Sequence, residues 1–202
     1  MKVKLYETAY LMVFIFYKRG VLLMKNNLTQ IAKAGLFIAF GLVLPMMFHA
    51  IGLGSTFLPM HIPVLLSGFM LDAPMAAAVG AVTPFLSSVF TGMPPAFPIM
   101  PYMVFELATY GFVISLLYRQ LNLSVYISLF GSMICGRIVA GIAVWVLTTL
   151  FAARLPEPIV FIAASVTTGL PGIVIQLIFI PAVVLILEKY GAKMLRRNYI
   201  GT

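Results

Sequence analysis

Two charged side chains fall inside long apolar runs: Glu106, in FELATYG, and Arg137, in CGRIVAG. A charge near the centre of a bilayer costs roughly 3 kcal/mol or more, so such a group is normally kept for a partner or a substrate. Arg137 offers a planar fork of donors that suits a ligand carboxylate, while Glu106 could orient that ligand or accept from one of its hydroxyls. The plainer reading is that the two pair with each other, or with nearby amides, and hold helices together. Both can hold at once, although Glu106 is expected nearer the outer face than Arg137, which counts against direct pairing.

Other polar residues gather around this pair. At about 3.6 residues per turn, Tyr102, Glu106, Thr109 and Tyr110 share one helix face, so both tyrosines join the candidate site. Ahead of them, TGMPPAFPIMP (91–101) is a loop whose prolines shape it in advance, and Thr91 at its start is a further candidate contact. His61 is a candidate ligand contact or an interfacial structural residue. Trp145, eight residues after Arg137 and expected on its face, would stack on a ligand ring or belong to the aromatic belt. Gln176 stands alone as a strongly polar residue inside the last apolar run, either in the site or bonding between helices. His49 and His61 lack metal-ligand spacing and no HExxH pattern exists, so no metal is expected, nor any cofactor. The single cysteine, Cys135, falls in an apolar run and supports neither a disulfide nor a cysteine metal site. No nucleophile-base pair is visible, so an enzyme is not expected. A Walker A pattern is absent, and nucleotide energy must therefore come from another subunit.

The elements that position these residues follow from composition. With 62% apolar and 9% charged residues and a mean hydropathy of +1.10, the 202-residue chain reads as an all-α integral membrane protein. Runs able to cross about 30 Å of hydrocarbon recur along it, and a lipid-buried backbone must satisfy itself within helices. About six spans fit: 28–51, a short second helix at 62–71, 74–90, 102–118, 124–151, and a last one that begins between 159 and 171 and ends near 187. Pro45 and Pro84 should bend their helices, and Asp72-Ala73-Pro74 marks a helix start. The net charge of +8 is concentrated at the chain ends, in Lys2, Lys4, Lys18, Arg19, Lys25 and Lys33 and in Lys189, Lys193, Arg196 and Arg197. By the positive-inside rule both termini are cytoplasmic, and nucleic acid is not the partner this charge implies. Residues 1–24 read as an interfacial helix or as a stretch ahead of a true start at Met24, and 25–202 as one membrane domain.

The order of spans, the short second helix, and the blocks LPMHIP, TGMPP and FELATYG resemble the substrate-binding S components of energy-coupling factor (ECF) vitamin transporters. The resemblance runs over 26–197. It implies a six-helix bundle in a bacterial cytoplasmic membrane that binds a small water-soluble vitamin from outside. Its implied partners are a membrane coupling subunit and two cytoplasmic ATPases. Pantothenate is the first candidate vitamin; niacin, pyridoxine and cobalamin are the others. The family's docking motif of small residues on the first helix corresponds here to AKAGLFIAF, with Ala32, Gly35 and Ala39 on one face. Small residues at that spacing also suit close helix contact on physical grounds alone.

The alternative from another class is a self-sufficient secondary transporter of a small organic anion, in which Glu106 takes up and releases a proton. It predicts uptake by the chain alone under a pH gradient, whereas an S component needs its ATP-driven module.

Overall fold

The structure is a computed structural model that describes residues 27–50, 52 and 54–200. The expectations for 1–24 lie outside these residues. The described secondary structure is entirely helical: α1 (Asn27–Ala50), a single turn α2 (Gly54–Phe57), α3 (His61–Met70), α4 (Ala73–Thr91), α5 (Ile99–Ile114), α6 (Val125–Leu150) and α7 (Pro158–Ile200). Beyond Ile114, α5 widens into a π-helical segment, Ser115–Gln120. Five helices are long and apolar enough to cross a membrane, and α3 is the short apolar helix expected second.

At 10 residues α3 rises only about 15 Å, so the chain before it must also enter the bundle. It does so through α2, an added turn that packs on α7. Gly172 of α7 makes room for it: a Cβ there would lie 2.6 Å from the Phe57 carbonyl oxygen. The last helix starts at Pro158 and continues through Pro171 and Pro181. Interior prolines are tolerated in membrane helices where neighbours satisfy the freed carbonyls.

α5 is the central element, packed against α4, α6 and α3. Its contact with α4 is backbone against backbone, because Gly80 faces the Leu107 carbonyl and Gly111 faces that of Ala76. Around this seam Val64, Leu65, Val79, Leu107, Ile114, Leu129 and Ile180 form a dry core. Outward positions such as Phe85, Phe105, Ile138 and Ile178 are apolar too, as helices facing lipid require. A Cβ on Gly80 would collide with the backbone of α5, whereas one on Gly35 would meet nothing within 4 Å. Gly80→Ala is therefore expected to destabilise the protein by about 1–3 kcal/mol, read as a lower melting temperature in detergent, and Gly35→Ala to leave it unchanged.

The end of the bundle opposite the proline-rich loop is tied by polar contacts. Asp72 stands at the start of α4, where its carbonyl accepts from the Ala76 amide at 2.9 Å. Its carboxylate does not cap the helix but pairs with Arg119 at 2.9 Å, and its amide donates to Gln30 Oε1 at 3.3 Å. Tyr118 donates to Glu188, which links α5 to α7.

Candidate functional site

A cavity of about 360 Å³ lies at the end that carries the proline-rich loop. It is walled by Pro45 and His49 of α1, the Leu58–His61 turn, Met93–Pro95, Tyr102, Met103 and Glu106 of α5, Arg137 of α6, and Phe161, Ser165 and Thr168 of α7. Most of this lining is apolar, with a few polar groups converging from different helices, the usual make-up of a small-molecule site.

At its wall Glu106 is 2% exposed, and Arg137 Nη1 stands 2.7 Å from its Oε1. Tyr110, one turn further along α5, donates its hydroxyl to the same oxygen at 2.6 Å. The pairing overturns the depth argument against it: the contact is made at the tips of the side chains, and the depth of the backbone does not fix where a long arginine side chain ends. Gly136 matters here: a Cβ at that position would run into the Tyr110 ring, so glycine lets α6 seat beside the tyrosine.

His61 begins α3 and is also buried, with its ring 5.6 Å from that of Tyr110. The turn that delivers it is held tightly. Leu58 has φ 48°, a left-handed conformation uncommon for a leucine, and its carbonyl accepts from the His61 amide at 3.0 Å. Gln176 Nε2 reaches the same carbonyl at 3.5 Å, while the Leu58 side chain rests in the space beside Gly169. Tyr102 packs edge-on against Phe161, with centroids 4.8 Å apart, which brings α5 and α7 together across the cavity.

The proline-rich loop is pinned to the end of α4. Thr91 donates to the Ser87 carbonyl at 2.7 Å and accepts from the Met93 amide at 3.2 Å, and Ser87 donates to the Met93 carbonyl at 2.6 Å. The peptide bonds Met93–Pro94 and Phe97–Pro98 are cis.

Of the residues expected in a site, His61, Tyr102, Glu106 and Arg137 line this one cavity. Tyr110 stands behind Glu106, Gln176 behind the Leu58 turn, and Thr91 beneath the proline loop. Trp145 is 57% exposed and borders a separate groove between α6 and α7, with Gly141, Thr148 and Ile162. Eight residues at about 100° each leave it roughly 80° away from Arg137, so the two do not share a face. Ser165 and Thr168 were not expected in the lining. Their only trace in the sequence is a pair of small hydroxyls three apart, a weak signal because such side chains commonly bond back to their own helix, as Ser165 does to Ile162 at 2.9 Å.

The family model described as "ECF transporter, substrate-specific component" matches residues 29–184 of the chain. No curated protein matches it, and no solved structure does.

Proposed function

Because the chain belongs to the substrate-specific component family of ECF transporters, we propose that it is the high-affinity vitamin-binding subunit of an ECF-type importer, with pantothenate as its first candidate ligand. Membership makes it a multi-pass membrane protein that takes a small substrate and works with an ECF module. The observation that carries the finer reading is the single cavity into which His61, Tyr102, Glu106 and Arg137 converge from three helices.

Its volume of about 360 Å³ is near the lower end of the roughly 300–1,000 Å³ usual for small-molecule sites. A corrinoid such as cobalamin would not fit, and niacin would leave much of the space unfilled. Pantothenate, with two hydroxyls and an amide on a branched apolar core, matches both the size and the mixture of walls. Pyridoxine is the next candidate. The clustering of basic residues at the chain ends supports cytoplasmic termini, with the proline loop and cavity on the outer side of a bacterial cytoplasmic membrane.

Ala32, Gly35 and Ala39 are all exposed on α1, which supports this face as the docking surface for the coupling subunit and, through it, two ATPases. The ligand assignment is tested by native mass spectrometry of the chain purified from cells grown with the vitamin. The expected spectrum shows one pantothenate per protein. A protein that emerges empty and takes up none of the vitamin in equilibrium dialysis would overturn the assignment.

A further inference from the structure

His61 lines the cavity without a hydrogen-bond partner among the described residues. It is 4% exposed, and neither Nδ1 nor Nε2 makes a hydrogen bond. The oxygen across from it, Glu106 Oε1, is 4.0 Å from Nε2 and already receives Tyr110 and Arg137. Leaving a buried polar group unmatched costs about 1–3 kcal/mol, so these two nitrogens call for a partner that no other side chain or backbone group of the described residues supplies. A bound group that completes the imidazole would remove that cost.

The charges beside it indicate what kind of group this is. One guanidinium nitrogen of Arg137 stands 2.7 Å from Glu106, where the opposite charges of the two groups offset each other. A ligand carboxylate placed on Arg137 would add uncompensated negative charge next to a buried glutamate, and desolvating such a charge costs several kcal/mol. An uncharged hydroxyl or amide carries no such penalty. It can either accept from the imidazole N–H or donate to the other ring nitrogen, since a neutral imidazole offers one donor and one acceptor.

We propose that His61 reads an uncharged hydroxyl or amide of the ligand, and that any charged group of the ligand lies away from the Glu106–Arg137 pair, toward exposed His49. This rests on the binding-subunit reading and specifies the end of the ligand that the site recognises. Arg137 then acts on the ligand through the neutrality of the wall, and not as the reader of a carboxylate.

The test is isothermal titration of the purified full chain with pantothenate and with panthenol, in which a neutral alcohol replaces the carboxylate. The two are expected to bind within about threefold of each other. His61→Phe, which keeps a ring and loses the polar atoms, should weaken both by about tenfold to a hundredfold. The same variant, free of ligand, should melt no lower than the parent, because it breaks no hydrogen bond within the protein. His61→Gln should restore part of the affinity. Panthenol binding weaker by roughly a hundredfold would mean that the site reads the carboxylate, and would overturn the inference alone. Unchanged affinity in His61→Phe, or a lower melting temperature with affinity lost, would also overturn it. Binding of neither molecule to the parent chain would remove the vitamin assignment and the inference together.

Discussion

Replacing Arg137 with methionine is expected to lower the stability of the purified protein by about 3–5 kcal/mol, because it strands Glu106 as an unpaired charge in a site where it is 2% exposed. The effect should be read in thermal or denaturant melts in detergent, where the parent and variant are compared without ligand. The double variant Glu106→Gln/Arg137→Met should recover most of the loss. Glutamine still accepts from Tyr110, and no uncompensated charge remains. That recovery separates the worth of the pair from the cost of breaking it, since a buried ion pair often contributes little more than a neutral replacement of similar shape. A single variant as stable as the parent would mean that Arg137 does not neutralise Glu106, and the neutral cavity wall would fall with it.

The second large effect concerns α1. Gly35→Trp is expected to leave ligand affinity and melting temperature as they are, since the position is exposed and a Cβ there meets nothing within 4 Å. Uptake in cells that also carry the coupling subunit and ATPases should drop by roughly tenfold or more, because a bulky side chain at a close helix contact costs about 1–3 kcal/mol or above. Binding and transport would thus be separated by one substitution. Undiminished uptake at equal expression would place the docking surface elsewhere.

What the sequence revealed, and what it hid, follows from the range of each physical signal. Helix positions came from hydropathy and from breakers such as Asp72-Ala73-Pro74, which act within a few residues, and these agree with α1 and α3–α6. The start of α7 stayed open because Pro171 reads as a break, and only neighbours that satisfy the freed carbonyl decide otherwise. α2 was missed for a similar reason, as a single turn has no periodicity and forms on the surface that Gly172 provides. Within the site, rarity was informative: a glutamate and an arginine in apolar runs do line the cavity. Their mutual contact was obscured, because depth along a helix is read from the backbone, whereas the contact is made at the ends of the side chains. The roles of Tyr110, Gln176 and Thr91 as supports behind the lining depend on which neighbours they reach, and pattern alone does not supply that.

Glu106 also distinguishes the two transport classes. A proton-coupled carrier needs this carboxylate free to change charge during transport, whereas here one of its oxygens is engaged by both Arg137 and Tyr110. The decisive measurement is accumulation of labelled pantothenate in proteoliposomes that contain the purified chain, with and without the coupling subunit and ATPases. A binding subunit gives no concentrative uptake by the chain alone under a pH gradient, and ATP-dependent accumulation once the module is added. Accumulation by the chain alone, driven by the pH gradient and abolished in Glu106→Gln, would contradict the binding-subunit reading.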